Sequence, residues 1–339
     1  MFERHKPPCR SAPLPSGKSF CKCFGPKRVG EVRSGWKHAV KRYFAQVKNV
    51  KKVNCLGSSW HVAAIISIFA VQKKFFDVKI KEVVSALEQF APLPLQADYD
   101  NAGLQIGLTE AEVSGALLCL DVNEKIVDEA VAAGCNLVVA HHPLIFRKLR
   151  RITDEDYVQR TVAKAIKNDV AIVAMHTNMD SAMGGVNFKI AEKMSLEDLS
   201  FIGRTQEVGG VSGGEAVLGN LPEPLSADDF MVMLKRRFDV ECVCANQLLR
   251  RNIEKVAVCG GAGDFMLDEA IKAGADAFVT GEMHYHQYFG HEQEIQIAVI
   301  GHYQSEQFTN ELFRDIIQKQ CPDVRCLLTK TNTNPIVYI

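Results

Sequence analysis

The stretch ALLCLDVNEKIVDEAVAAGCNLVVAHHP, residues 116–143, decides the fold class of this chain. It begins with a short apolar run, Ala116 to Leu120, that is typical of a buried strand. Asn123 is a suitable N-cap for a helix over residues 124–133, and Gly134 is a typical helix stop. A second apolar run, Leu137 to Ala140, ends at two adjacent histidines. The order strand, helix, strand predicts an α/β domain with largely parallel strands.

The same alternation of helices and strands continues along the chain, and part of the sequence recurs in the second half. A helix is expected near residues 158–167 and a strand over 170–175, with His176 directly after it. A weak internal repeat relates residues 128–139 to residues 268–279 at a constant offset of 140. We therefore expect two similar α/β domains.

Composition places the chain among soluble globular proteins. Its 339 residues are 47% hydrophobic and 24% charged, which is enough for two ordinary domains. No apolar run reaches the 18 or more residues of a membrane span. Cys119, Cys135 and Cys259 lie in apolar runs, where a thiol behaves as a small hydrophobic group. The 11 cysteines therefore indicate a reducing compartment, the cytoplasm, rather than a disulfide framework.

The first 77 residues form a separate basic segment. Of the 40 basic and 40 acidic residues, 16 and 2 lie in residues 1–76, so this part carries a net charge of +14 and the remainder −14. Residues 7–27 are rich in Pro, Ser, Gly and Lys, which is typical of disorder. Three interpretations compete: an organelle-targeting segment, a tail that binds nucleic acid or anionic lipid, or sequence upstream of a wrongly assigned start.

We favour a wrong start, because a globular pattern begins abruptly near Val78. Residues 79–87 look like the opening of an amphipathic helix. Nucleic-acid binding is disfavoured, because the acidic remainder would repel the same polyanion.

Five side chains at expected strand ends form a candidate metal set. Ligands gather at the carboxyl ends of strands in α/β sheets, and these ends carry His141, His142, Asp180, His302 and Glu306. His302 and Glu306 are four residues apart, so a helix would turn both toward one place, with Ser305 as its expected cap. Imidazole and carboxylate groups suit divalent zinc, iron, manganese or nickel. Five donors are too many for one catalytic ion with an open position but suit a shared pair.

Each of these groups also has a structural interpretation. The His-His-Pro sequence fits a plain turn, Asp180 fits an N-cap, and His302 with Glu306 fits a surface pair. Gly260 and Gly261 fit a tight turn better than a phosphate cradle. His284 and His286 are expected to alternate as in a strand, so that one lines the cleft, and His176 is expected to orient a ligand.

Five segments of the chain together resemble the Nif-three-like family, many of whose bacterial members carry the label GTP cyclohydrolase type-two homologue. The segments are Asp98 to Gly107, Ala140 to Phe146, His176 to Asn187, Thr280 to Glu282 with His286, and Gly301 to Glu306. The resemblance covers residues 78–339, and the motifs in this order and spacing are highly specific.

The resemblance implies a two-metal centre in a cleft between two α/β domains, in subunits that form a ring-shaped homohexamer. It matches the five donors above to the family's ligands, with the carboxylates of Asp180 and Glu306 as bridges. The chain lacks a long insertion between Gly185 and Gly260, so it resembles the short form of the family. One domain is expected over residues 78–190 plus 297–339, and the other over residues 191–296.

The expected activity is metal-assisted hydrolysis with two divalent ions per subunit. Glu282 and His286 are the candidate acid or base. A small phosphorylated compound or a nucleotide is the expected substrate, and a phosphoester, an amide or a purine ring would fit the same ligands. The alternative is a metal-handling or protein-interaction scaffold without turnover.

Overall fold

The strand–helix–strand unit predicted from residues 116–143 is present in the structure, a computed structural model that describes residues 78–337 and 339. Strand β2 (Ala116–Cys119) leads into helix α2 (Glu124–Ala132) and then into β3 (Leu137–Ala140). Asn123 caps the helix, because its side chain accepts hydrogen bonds from the backbone N–H groups of Lys125 and Ile126. The two strands pair in parallel, as predicted. The interpretations of residues 1–77 concern residues outside the described part of the chain.

This unit belongs to a first sheet of five strands, in the order β1-β4-β3-β2-β11. Its other strands are β1 (Gly103–Ile106), β4 (Ala171–Ala174) and β11 (Cys326–Leu328). β4, β3, β2 and β11 are parallel, and β1 runs antiparallel to β4 at one edge. Every residue of β2, β3 and β4 is buried, as expected of a parallel sheet covered on both faces.

A second sheet of six strands has the order β5-β6-β8-β9-β10-β7. Its strands are β5 (Glu197–Val208), β6 (Val211–Leu225), β7 (Cys244–Ala245), β8 (Ile253–Cys259), β9 (Ala277–Thr280) and β10 (Gln296–Val299). β8, β9 and β10 are parallel, whereas β5 and β6 form a long antiparallel hairpin. Gly209 and Gly210 make its turn with φ of 59° and 81°, values that favour glycine. The sequence patterns did not predict this hairpin.

The repeat with an offset of 140 corresponds to equivalent structural units. In the second sheet β8 is followed by helix α7 (Leu267–Lys272) and β9, and these strands pair in parallel as β2 and β3 do. Gly134 and Gly274 end the two helices with φ of 69° and 72°. The two halves therefore contain equivalent strand–helix–strand units.

The remaining helices cover the sheets. They are α1 (Ile80–Phe90), α3 (Tyr157–Lys167), α4 (Thr177–Ser181), α5 (Val186–Lys193), α6 (Ala227–Phe238), α8 (His302–Glu306) and α9 (Thr309–Gln320). Short 3₁₀ turns occur at Leu93–Leu95, Asp264–Met266 and Tyr285–Tyr288. One hydrophobic cluster contains Val139 of the first sheet and Val258 of the second, so the sheets share a core.

The expected domain boundaries stay a prediction. The structure adds that β11 returns to the first sheet, and that β10, which begins at Gln296, lies wholly in the second. Among the described residues, no helix combines the length and the apolar character that a membrane crossing needs.

Candidate metal centre

The five predicted donors come together at the carboxyl ends of strands from both sheets. His141 and His142 follow β3, Asp180 lies in α4 after β4, and His302 and Glu306 are the first and last residues of α8 after β10. Gly301 precedes α8 with φ of 99°, which turns the chain from the strand directly into the helix. The structure therefore brings together side chains that are far apart in sequence.

Glu306 lies at the middle of this cluster. Its Oε2 is 3.0 Å from His142 Nε2 and 3.2 Å from His302 Nε2, and its Oε1 is 3.6 Å from His141 Nε2. His141 Nε2 is also 3.5 Å from Asp180 Oδ1. Three ring nitrogens and two carboxylates thus face one small volume.

The donor atoms fall into three groups, in each of which every atom lies within 4.8 Å of the others. They are His141 with Asp180 and Glu306, His142 with His302 and Glu306, and His141 with His142 and His176. Glu306 is common to the first two groups, whereas Asp180 belongs to one. His176, expected to orient a ligand, is itself a potential donor.

One buried atom of the cluster, His141 Nε2, has no hydrogen-bond partner among the described residues. The His141 side chain is fully buried, and its Nδ1 lies 2.9 Å from the carbonyl oxygen of Met175. Because a carbonyl only accepts, Nδ1 must carry the proton, so the neutral ring presents the lone pair of Nε2 to the cluster. A buried lone pair beside two carboxylates fits a bound cation.

Each of the four imidazoles is held through Nδ1, and the Nε2 atoms of His141, His142 and His302 face Glu306. The other three partners are carboxylates at 2.7–2.8 Å, namely Asp121 for His142, Asp100 for His176 and Glu282 for His302. A second partner of this kind is the usual support of a metal-ligating histidine, because it fixes the ring orientation and the tautomer.

The charges of the cluster are strongly coupled. Burial alone would raise the pKa of Glu306, but the imidazoles around it hold this pKa well below its usual range. Burial and the nearby Glu306 raise the pKa of Asp180 well above its usual range. Burial alone would lower the pKa of His142 and His302, but neighbouring carboxylates raise these to about 10 and about 9. Protons on the imidazoles therefore balance the carboxylates here, a role that a divalent ion could take instead.

Glycine is required where the second sheet approaches Glu306. Gly261 has φ of 57°, and a Cβ there would lie 2.3 Å from Glu306 Oε1. The Gly261 N–H donates to Ser305 Oγ, and the Gly260 N–H donates to Asn187 Oδ1. These amides are already bonded within the protein, which favours the tight turn over the phosphate cradle.

The expectation that Ser305 caps a helix was wrong, because α8 begins three residues earlier at His302.

A cleft of about 630 Å³ opens beside the cluster. Its lining includes donors of the cluster, polar side chains and two exposed aromatic residues, namely His176, Asp180, His302, Glu306, Asp98, Arg204, Glu215, Tyr99 and Phe265. This volume is in the range of small-molecule sites. The cluster is thus accessible to a small substrate.

The two predicted catalytic residues have different surroundings. Glu282 is exposed and binds His302 through Nδ1 at 2.7 Å. His286 is exposed and packs against the rings of Tyr285 and Phe289, and within the described residues no hydrogen bond or ion pair joins it to the five donors. The expected strand alternation of His284 and His286 was wrong, because Gln287 accepts a hydrogen bond from the His284 N–H and the segment forms a 3₁₀ turn. The catalytic roles stay predictions.

Asp100 and Asp121 were missed as partners of the histidines. Asp121 follows β2 at the same sheet edge as His141 and His142, and this position was the available signal. Asp100 lies in an irregular segment before β1, and only the fold brings it to His176.

Comparison with known proteins identifies the relatives of this chain. Residues 78–335 match the sequence profile described as Duf34/NIF3 (NGG1p interacting factor 3). A Clostridium acetobutylicum protein named GTP cyclohydrolase 1 type 2 homolog is 30% identical over 233 residues, which cover 68% of this chain and 85% of the relative. A Bacillus subtilis protein of the same name is 24% identical over 369 aligned positions that include 76% of this chain. That alignment is longer than this chain, so the Bacillus protein carries additional sequence, in agreement with the short form.

Solved structures share the fold. Staphylococcus aureus protein SA1388 superimposes with a TM-score of 0.70 at 24% identity, over 78% of this chain and 100% of that one. Reduced HcgD from Methanocaldococcus jannaschii gives a TM-score of 0.62 at 22% identity, over 75% of this chain and 98% of that one. At these identities the likeness concerns the architecture alone.

Proposed function

The chain belongs to the Duf34/NIF3 family, and from this premise we propose that it is a dinuclear metal-dependent hydrolase of small substrates. The observation that carries the proposal is the convergence of His141, Asp180, Glu306, His142 and His302 around the buried His141 and Glu306 side chains, with an unpartnered imidazole lone pair on His141. Five donors with a carboxylate common to two groups suit two ions better than one.

Each ion would take three side chains of the cluster. One set is His141, Asp180 and Glu306, and the other is His142, His302 and Glu306. Glu306 belongs to both sets and would therefore help to hold each ion. Zinc, iron, manganese and nickel all accept imidazole nitrogen and carboxylate oxygen. When bound, such ions supply Lewis-acid activation of water and of the scissile group of the substrate.

The protein's own side chains would orient the substrate and move protons. His176 lines the cleft and belongs to the cluster, and its Nδ1 is held by the fully buried carboxylate of Asp100. Its Nε2 is therefore the fixed atom that can accept or donate a proton on the cleft side. Glu282 would orient His302 through Nδ1 and stays a candidate for proton transfer at the rim.

Metal content is the first test. We expect mass spectrometry of the full chain to find close to two divalent ions per subunit. Asp180→Ala should lose at least the ion of the His141 set, since it removes one of three donors. Asp98→Ala is the matched control, because it removes a carboxylate from the same cleft but outside the donor groups. A chain that stays metal-free after reconstitution with zinc, iron, manganese and nickel contradicts the proposal.

Turnover is the second test. The relatives' name suggests GTP, and bis(4-nitrophenyl) phosphate probes phosphoester hydrolysis. Hydrolysis by the metal-loaded protein that falls in Asp180→Ala but not in Asp98→Ala would support a hydrolase. Stoichiometric metal without turnover of these and of amide substrates would instead favour the metal-handling or interaction scaffold. The homohexamer is a further proposal, which analytical ultracentrifugation of the full chain tests directly.

A further inference from the structure

The segment after β11 is attached to the first sheet by a series of hydroxyl groups. Thr329 and Thr331 donate to the carboxylate of Glu129, each at 2.7 Å. Thr333 donates to Asp121 Oδ2, also at 2.7 Å. Three alternate threonines therefore hold this segment against two acids, and the second of these, Asp121, contacts the candidate metal centre through His142.

Asp121 connects this segment to the cluster. Its Oδ1 lies 2.8 Å from His142 Nδ1, and His142 Nε2 lies 3.0 Å from Glu306 Oε2. The contacts thus run from Thr333 through Asp121 and His142 to Glu306. Thr333 and Asp121 are 212 positions apart, so the link exists only in the folded chain.

Packing alone does not fix the Asp121 carboxylate. Its side chain is 37% exposed, whereas that of Asp100, the equivalent partner of His176, is fully buried. Asp100 also accepts backbone N–H bonds from Asn101 and Thr177. Within the described residues, the hydrogen bonds of the Asp121 side chain are those to His142 and Thr333.

We propose that Thr333 is a positioning residue of the metal centre, whose hydroxyl fixes Asp121 so that His142 presents Nε2 to one of the two ions. A carboxylate this exposed has water as a competitor for its oxygens, and without the Thr333 bond it is free to rotate away from His142. The ion held by His142 and His302 therefore depends on the segment after β11, while the ion held by His141 does not. This inference rests on the proposed dinuclear centre.

The test compares threonine variants of the full chain by zinc titration against a chromophoric chelator. Thr333→Val keeps the side-chain shape without the hydroxyl, and we expect it to weaken one of the two zinc sites by up to about 10- to 100-fold, the range for losing the outer partner of a ligating histidine, which is Asp121 here. Thr333→Ser keeps a hydroxyl group, so this variant should bind zinc at both sites as the wild type does. Thr331→Val is the matched control, because it removes an equal bond from the same segment to Glu129 and should leave both sites unchanged.

Each outcome has a distinct meaning. Wild-type zinc affinities in Thr333→Val, or an equal loss in Thr331→Val, would overturn the positioning role while leaving the dinuclear centre intact. A weakened zinc site in Thr333→Ser would also overturn the positioning role, because this variant keeps the hydroxyl group. A wild-type chain that binds no zinc would overturn both this inference and the proposed function.

Discussion

Gly261→Ala tests whether the centre depends on close backbone approach to Glu306. A Cβ at this position would lie 2.3 Å from Glu306 Oε1 and 3.4 Å from His302 Nε2. The carboxylate has little room to retreat, since the Glu306 side chain is only 4% exposed. Because Glu306 belongs to both candidate donor sets, its displacement should weaken both ions together.

The loss of stability in Gly261→Ala has two parts, the backbone cost of alanine at a positive φ and the clash of its Cβ with Glu306. Alanine at a left-handed position costs about 1–2 kcal/mol, whatever the surrounding space. Gly274 has φ of 72° and no atom within 4 Å of its Cβ position, so Gly274→Ala carries only this backbone cost. Gly274→Ala should therefore melt roughly 2–8 °C below the wild type in EDTA, since about 1 kcal/mol shifts the melting temperature by about 2–4 °C in a domain of this size. Gly261→Ala should melt lower still, because the clash with Glu306 adds to the backbone cost.

Metal binding then distinguishes the variants. We expect Gly274→Ala to bind zinc as the wild type does and Gly261→Ala to lose both ions, as measured by mass spectrometry after dialysis and by zinc titration. Full zinc binding in Gly261→Ala would refute the argument that Glu306 is sterically fixed at the centre. An equal loss of zinc in Gly274→Ala would show that general destabilisation, and not the clash with Glu306, causes the loss of metal.

Two further predictions concern stability. Although burial alone would raise the pKa of Glu129, hydrogen bonds from Lys330, Thr331 and Thr329 lower it below its ordinary value of 4.5. The stabilisation from this carboxylate is therefore complete above its unfolded pKa and is lost as the pH falls through the lower folded pKa. Urea unfolding should show Glu129→Gln less stable than the wild type at pH 7, with the difference decreasing as the pH falls below 4.5, and a constant difference would contradict the assignment. Phe278→Ala in β9 removes a fully buried ring and should lower the free energy of unfolding by about 3–5 kcal/mol, whereas Phe289→Ala, at a ring that is 57% exposed, should change it by less than about 0.5 kcal/mol in the same assay.

Local sequence patterns predicted the central units of the first sheet well. The run Leu137 to Ala140, the N-cap Asn123 and the stop at Gly134 correspond directly to β3 and the ends of α2. Signals of this kind depend on neighbouring residues alone, through apolar periodicity and backbone preferences. The convergence of His141, His142 and Asp180 was also predictable, because the parallel strands β3 and β4 place their carboxyl ends at one edge of one sheet. The approach of His302 and Glu306 depends on how the second sheet packs against the first.

Features that depend on long-range pairing were not predictable. The hairpin of β5 and β6 lacks regular alternation, since most of β5 is exposed. The contact between Asp121 and Thr333 requires knowledge of where β11 joins the sheet. The expected strand alternation of His284 and His286 failed for a local reason, because the Gln287 side chain bonds to the His284 backbone and the segment forms a 3₁₀ turn. A polar side chain that competes for backbone groups is a weak signal in sequence.

The position of β11 has a consequence for the chain during its synthesis. β2 is a central strand with four buried residues, and among the described strands its partner on one edge is β11, which lies more than two hundred residues later. While the ribosome makes the intervening sequence, the apolar edge of β2 has unsatisfied backbone groups and can pair with another chain. A chain truncated before Cys326 would keep this edge permanently open, and it should aggregate even though every donor of the candidate metal centre is present.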